Sequence, residues 1–146
     1  MRSDKLFPYI LAAKKQWLST PISLQVGTTH TCVNRCVMCQ HWARDQKGPV
    51  KTLDFERFRD NVLHPFAALG GESICYSGGE SMEHPQMMEI LDATHNLGIK
   101  SGVITSGAGR AYFGDIAAMN GCHWVRVSLD AVDAETYAVS LSLIHI

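Results

Sequence analysis

Four short runs along the chain are rich in β-branched and aromatic residues and end in glycine, proline or small polar residues. They are residues 22–26 (Ile-Ser-Leu-Gln-Val), 73–77 (Ser-Ile-Cys-Tyr-Ser), 101–105 (Ser-Gly-Val-Ile-Thr) and 124–129, opening on Trp124, and each predicts a strand. The stretches between them carry apolar residues at helical spacing. Leu53, Phe55, Phe58, Val62, Leu63 and Phe66 supply one apolar face, with Thr52 expected as N-cap, Asp54 and Glu56 in the first turn, and Pro65 expected to kink or end the helix. A second helix is expected from near Pro85 to Gly98, a third over about Ala111 to Met119, and a fourth beginning at Asp133 to Glu135. An apolar stretch from Leu6 to Ala13, running into Lys14-Lys15, reads as a lead-in helix within residues 1–20. Strand and helix alternate with connections too long for hairpins, so the class is α/β with a parallel sheet covered by helices on its outer face.

Composition changes this picture little. Hydrophobic residues make up 46 % of the 146 residues and charged residues 18 %, which suits one ordinary globular core. No apolar run approaches the roughly 18 residues of a membrane span. Thirteen cationic against fourteen anionic side chains give a net charge of -1. That leaves no electrostatic footprint for nucleic acid or anionic lipid, so partners must be sought through a site. The five cysteines are odd in number, which speaks against a disulfide framework and for a reducing, cytoplasmic setting. The last six residues, Leu141-Ser142-Leu143-Ile144-His145-Ile146, match the translation of a transposase end sequence used as a sequencing adapter. Residues 141–146 are therefore expected to be a non-native tail behind a domain spanning 21–140.

Chemistry concentrates in Thr31-Cys32-Val33-Asn34-Arg35-Cys36-Val37-Met38-Cys39, where three cysteines stand at C-x3-C-x2-C directly after a strand. Gaps of three and two residues let one tight loop aim three sulfurs at one point, as an iron-sulfur cluster with one open iron requires. The triplet, followed by Ser77-Gly78-Gly79-Glu80 at the end of the next strand, resembles the radical S-adenosylmethionine (radical SAM) superfamily. The resemblance covers residues 21–140 and implies an incomplete parallel β/α (TIM-like) partial barrel, about the first four strands and three helices. It also implies a 4Fe-4S cluster on Cys32, Cys36 and Cys39, with S-adenosylmethionine (SAM) chelated at the open iron. One-electron reduction would then cleave SAM to methionine and a 5'-deoxyadenosyl radical that abstracts hydrogen from a substrate. An electron donor of flavodoxin or ferredoxin type is implied as a partner. The substrate, a small molecule or a peptide, is not legible; the motif style loosely suggests the molybdenum-cofactor and peptide-maturase branch.

By the same resemblance, Gly78 and Gly79 bind the methionine amino group of SAM, and Glu80 supports that contact by charge or by fixing the loop. On the fourth strand Arg126, Ser128 and Asp130 share one face and Val125, Val127 and Leu129 the other. Ser128 is then placed for the SAM ribose, with Asp130 nearby and Arg126 facing a carboxylate or pairing with Asp130. Thr105 closes the third strand beside the same pocket. The chain departs from the family at two points: Met38 stands where an aromatic residue often packs near the adenine, and Ser106-Gly107 stands where Asn-Gly is frequent. Cys75 and Cys122 are expected to be small buried hydrophobes, His41 and Trp42 to pack near the cluster loop, and His64, His84, His95 and His123 to be surface or capping residues. Three alternatives stay open. One is a zinc site completed by His30 or His41; another is a non-catalytic iron-sulfur module. The third is a dinucleotide-binding turn at Gly107-Ala108-Gly109 with Asp130, which lacks its third glycine because position 112 is Tyr.

Overall fold

A computed structural model describes residues 21–39, 50–108 and 121–141. The lead-in helix of residues 1–20, the third helix over 111–119, His41, Trp42, Gly109 and the tail residues 142–146 lie outside the described residues. The four expected strands form within two residues of their expected limits: β1 (Ser23–Gly27), β2 (Ser73–Ser77), β3 (Lys100–Thr105) and β4 (Trp124–Val127). They pair in the order β1-β2-β3-β4, every neighbour parallel. Parallel neighbours need crossover connections, and two helices supply described parts of them: α1 (residues 55–68) between β1 and β2, and α2 (Met87–Asn96) between β2 and β3. A further helix, α3 (Ala134–Leu141), follows β4.

The register sorts the sheet into two unlike faces. Val26, Tyr76, Val103 and Val125 form one row across the sheet, whereas Gln25, Cys75, Gly102 and Trp124 form the adjacent row on the opposite face. Ile74, Tyr76 and Val103 are buried with Phe58, Leu63 and Phe66 of α1 and Met87, Ile90 and Leu91 of α2, so the core lies between the first face and these helices. The other face is polar. It carries Gln25, Cys75, Ser77 and Arg126 with Ile104 among them, and a β-carbon at Gly102 would lie 2.0 Å from the Trp124 indole, so only glycine lets that ring lie across β3. Helices on one side and a polar, partly open face on the other are the division a β/α barrel makes between its outer layer and its interior.

Helix α1 departs from expectation in ways that have physical causes. Its N-cap is Asp54, whose side chain accepts from the Arg57 N–H at 3.0 Å. Thr52 instead forms an antiparallel bridge with Thr29, the two hydroxyls 3.1 Å apart. The helix opens as α over Phe55–Phe58, widens to π over Arg59–Leu63 and returns to α over His64–Ala68. Pro65 therefore falls in the first turn of the renewed α segment, where a missing N–H costs least, and neither ends nor breaks the helix. The π turn also moves the buried stripe from Phe58 to Leu63 and Phe66, leaving Val62 exposed.

Helix α2 begins at Met87, two residues beyond Pro85, because His84 holds its start. His84 is buried, its Nδ1 accepts from the Gln86 N–H at 3.1 Å, and its Nε2 donates to the Leu53 carbonyl at 2.8 Å. It caps as expected but is not a surface residue. The C-terminus closes on Gly98 (φ 71°), with Gly98 N–H to the His95 carbonyl and Ile99 N–H to the Thr94 carbonyl, a Schellman motif. Half-buried His95 likewise has a partner, Ser101 Oγ at 2.7 Å. Cys75 and Cys122 are half-buried rather than buried, and burial pushes both thiols up.

Tyr76 at the centre of β2 yields a prediction for alkaline pH. Its hydroxyl meets Thr94 Oγ1 at 2.5 Å, and desolvation pushes its pKa up to about 12. The unfolded chain releases this proton near pH 10 and the folded chain two units higher. The contribution, about 2–3 kcal/mol, is complete below pH 10 and is lost as pH rises towards 12. Tyr76→Phe is expected to flatten the fall in denaturant midpoint across that window, with a small loss of stability at neutral pH.

Candidate functional site

The carboxyl ends of the parallel strands bring the sequence-singled residues to one side of the sheet: residues 28–39 after β1, 77–80 after β2, 105–107 after β3 and 128–130 after β4. Loops and unpaired backbone groups converge at this end in parallel α/β folds.

The root of the cysteine loop is strapped on both sides by main chain. Leu53 N–H donates to the Thr28 carbonyl at 2.7 Å, and His30 N–H donates to the Lys51 carbonyl at 2.8 Å. On the other side Gly79 N–H donates to the Thr29 carbonyl at 2.7 Å and Glu80 N–H to the Thr31 carbonyl at 2.8 Å. This close approach explains the glycine pair. A β-carbon at Gly78, whose φ is 140°, would lie 2.5 Å from the Thr29 carbonyl oxygen, and one at Gly79 would lie 2.5 Å from the Thr31 carbonyl oxygen. The Gly79 and Glu80 N–H donors are spent on the loop root; a main-chain carbonyl oxygen can only accept, which suits an ammonium donor.

Glu80 is 1 % exposed and accepts four hydrogen bonds. Its Oε1 takes the Met82 N–H (3.2 Å) and Thr105 Oγ1 (2.6 Å), and its Oε2 takes the Ser106 N–H (2.8 Å) and Ser106 Oγ (2.6 Å). The carboxylate thereby ties the end of β2 to the end of β3. Thr105 is buried with its hydroxyl donating to Glu80 and accepting from the Gly107 N–H at 3.0 Å, so it positions Glu80 and the turn rather than facing an open pocket. Ser106, which stands where the family often has Asn, supplies half of the Glu80 bonds; sequence reading had marked it only as a departure. Glu80→Gln puts an amide donor against donors on one side and forfeits two of the four bonds, so a loss of about 2 kcal/mol is expected in urea unfolding.

The three site cysteines are free thiols, all partly exposed. The Cys36 carbonyl accepts from the Cys39 N–H at 3.0 Å, closing a turn over Val37 and Met38. Burial pushes the Cys32 thiol up; the Asn34 N–H opposes this, the charges of Glu80 and Cys39 add to it, and Arg35 offsets it slightly. Cys36 is pushed up by burial and then by the charges of Cys32 and Cys39, with Asp130 contributing least. The thiols thus lie within electrostatic reach of one another. Among the described residues no group of three or more His, Cys, Asp or Glu side chains is drawn in to hold a single metal ion. Within the same loop the carboxamide of Asn34 is 4 % exposed with no hydrogen-bond partner on either Nδ2 or Oδ1. The unmet Nδ2 donor, in a loop that also carries three thiols, is what a sulfur acceptor would satisfy, so the residues fit a 4Fe-4S cluster.

The remaining candidates sit around this loop. Asp130, exposed beyond β4, is near enough to Cys36 and Tyr137 to raise both, burial being the larger cause in each. Ser128 is half-buried, its N–H donating to the Thr105 carbonyl at 2.8 Å, one step past the end of β4. Arg126 makes no ion pair with Asp130 among the described residues; its charge partly offsets the burial that pushes up the Cys75 thiol on the same face of the sheet. Met38 is 57 % exposed and packs on nothing that hides it. The Val37 N–H donates to the Ser140 carbonyl at 3.1 Å, which brings α3 against the loop.

A polar-faced parallel β/α sheet with three free cysteines on its first carboxyl-end loop and a Gly-Gly-Glu latch on its second defines a class. The family model of the radical SAM superfamily matches residues 26–142, and the chain belongs to that superfamily, whose members use a 4Fe-4S cluster and SAM. Among curated proteins it is 34 % identical over 120 residues to the PqqA peptide cyclase of Methylobacterium sp. (strain 4-46), covering 80 % of this chain and 31 % of that protein. It is 30 % identical over 97 residues to the PqqA peptide cyclase of Ruegeria pomeroyi, covering 66 % and 25 %. The chain thus spans about a third or less of the length of these relatives. Among solved structures, Streptococcus suis SuiB bound to S-adenosylmethionine matches with a TM-score of 0.67 at 17 % identity, over 95 % of this chain and 31 % of that one. SuiB bound to its precursor peptide SuiA matches with a TM-score of 0.69 at 17 % identity, over 92 % and 30 %. These likenesses bear on the fold. They agree with the α/β partial-barrel reading, and the family match leaves no need for the dinucleotide-binding or zinc alternatives.

Proposed function

We propose that the chain is the cluster- and SAM-binding part of a radical SAM enzyme that modifies a peptide. The observation that carries this is the junction itself, a three-thiol loop whose root is bonded main chain to main chain with the Gly78-Gly79-Glu80 segment. Cys32, Cys36 and Cys39 hold the 4Fe-4S cluster and leave one iron for the amino and carboxylate groups of SAM. When bound and reduced by one electron, this pair supplies reductive cleavage of SAM to a 5'-deoxyadenosyl radical for hydrogen abstraction.

The protein's own groups do the placing. Carbonyl oxygens at Gly78 and Gly79 accept from the SAM ammonium, and Glu80, through Thr105 and Ser106, keeps that edge at a fixed distance from the cysteine loop. Ser128 and Asp130, at the tip of β4, would hold the ribose, and Met38 would pack against the adenine. Burial of the latch restricts water near the cluster from below, while exposed Val37 and Met38 leave the loop's outer side open. An electron donor of flavodoxin or ferredoxin type docks there. A peptide is favoured over a small molecule because the curated relatives are named as cyclases of the PqqA peptide, and because a structural neighbour is described with a precursor peptide bound. No helix among the described residues is long and apolar enough to cross a membrane; a cytoplasmic site of action rests on the free cysteines.

Anaerobic reconstitution with iron and sulfide, followed by electron paramagnetic resonance of the reduced protein with and without SAM, tests the proposal. A 4Fe-4S signal that changes on adding SAM is expected. Tight uptake of zinc with no cluster signal in folded protein would overturn it in favour of a structural metal module.

A further inference from the structure

The cysteine loop inverts the usual order of burial. Val33, Val37 and Met38 are exposed, Val37 at 75 %, while Asn34 between them is 4 % exposed. Both polar atoms of the Asn34 carboxamide lack a hydrogen-bond partner, and each unmet buried group costs about 1–3 kcal/mol. Local rules are broken in this way chiefly where function requires it. The main chain at this residue is already committed: the Asn34 N–H points at the Cys32 sulfur, and the Asn34 carbonyl accepts from Arg35 Nη1 at 3.0 Å. Arg35 Nη1 also reaches the Cys32 carbonyl at 2.7 Å, bracing the same turn. Asn34 is therefore held between Cys32 and Cys36 with only its side-chain amide unassigned. The acceptors that a cluster brings to this loop are sulfurs.

We propose that Asn34 Nδ2 donates a hydrogen bond to a sulfur of the cluster held by Cys32, Cys36 and Cys39, and so favours the cluster's reduced form. The proposal rests on the reading of the triplet as a 4Fe-4S site. Reduction adds negative charge to the sulfurs, so a fixed N–H beside one of them strengthens when the electron arrives. The residue sets a redox property without being an iron ligand.

The test uses the protein reconstituted with iron and sulfide in the absence of SAM. Asn34→Leu keeps the bulk and removes both polar atoms. At a fixed potential near the native midpoint the ratio of reduced to oxidised cluster is expected to fall about tenfold, equivalent to about 59 mV for a one-electron couple. Should the variant hold no iron, the native protein carries the test. Pulsed electron paramagnetic resonance of the reduced cluster, in protein labelled with nitrogen-15 at the asparagine side-chain amide, is expected to show hyperfine coupling to that nitrogen. An intact cluster that responds to SAM but shows no such coupling, or a native potential in Asn34→Leu, would overturn the proposal while leaving the cluster reading standing. A coupling that arises only after SAM is added would also overturn it, because the amide would then serve the cosubstrate. Absence of any cluster would remove the proposal together with the reading beneath it.

Discussion

Serine in place of Cys32, Cys36 or Cys39 is expected to abolish cluster retention, each variant alone lowering iron and sulfide per chain to background and eliminating SAM cleavage. A cubane held by three protein thiolates that reserves its fourth iron for a cosubstrate has lost a third of its protein bonds when one sulfur goes. Loss of a supporting residue around a metal ligand typically weakens affinity about 10–100-fold, and loss of the ligand itself costs more. Burial and mutual charge push the Cys32 and Cys36 thiols up, and iron binding, which takes thiolates, works against that. Serine at Cys75 or Cys122, half-buried and outside the triplet, is the matching control and is expected to leave iron content unchanged. Far-ultraviolet circular dichroism of all five variants separates loss of cluster from loss of fold.

Gly78→Ala is expected to destabilise the fold strongly. Two penalties fall on one residue. A φ of 140° is a conformation that residues with a side chain rarely adopt and costs about 1–3 kcal/mol. The new methyl would lie 2.5 Å from the Thr29 carbonyl oxygen. That oxygen is main chain, bonded to the Gly79 N–H, and cannot swing aside as a side chain would; overpacking of this kind costs about 1–3 kcal/mol more. Together they amount to about 4 kcal/mol, a large share of the 5–15 kcal/mol that holds a typical domain. The urea midpoint should fall accordingly, and iron uptake should fall with it, since relief requires the cysteine-loop root to move. Gly27→Ala at the end of β1, where nothing lies within 4 Å of the added carbon, should change stability by under about 1 kcal/mol.

Much of the scaffold is legible in the sequence because its signals are local. The strands are short apolar runs with clear boundaries, and the helices between them repeat apolar residues on one face. Cys32, Cys36, Cys39 and Gly78-Gly79-Glu80 are legible because their spacing is itself the chemistry. What escaped depends on who meets whom. Thr52 looked like a helix cap, but the strap to Thr29 claimed it and passed the cap to Asp54. Thr105 looked like a pocket residue, but its hydroxyl is consumed between Glu80 and Gly107. The burial of Asn34 had no sequence signal, since an asparagine in a polar loop is ordinarily solvated. His84 was hidden for the opposite reason: a buried histidine reads like any surface one until its two carbonyl and amide partners, 31 and 2 residues away, are known.

The π turn in α1 bears on how this chain tolerates changes in length. Between Phe58 and Leu63 the helix carries one residue more than an α-helix needs to bring both side chains to the core. Asn61 and Val62 lie on its exposed side. Loss of one codon there would tighten the turn to regular α geometry and still deliver Leu63 and Phe66 to the same face. A helix ordinarily forbids single-residue gaps, because every downstream side chain rotates by about 100°. This one holds a reserve residue, and its removal is expected to leave the sheet it covers in place.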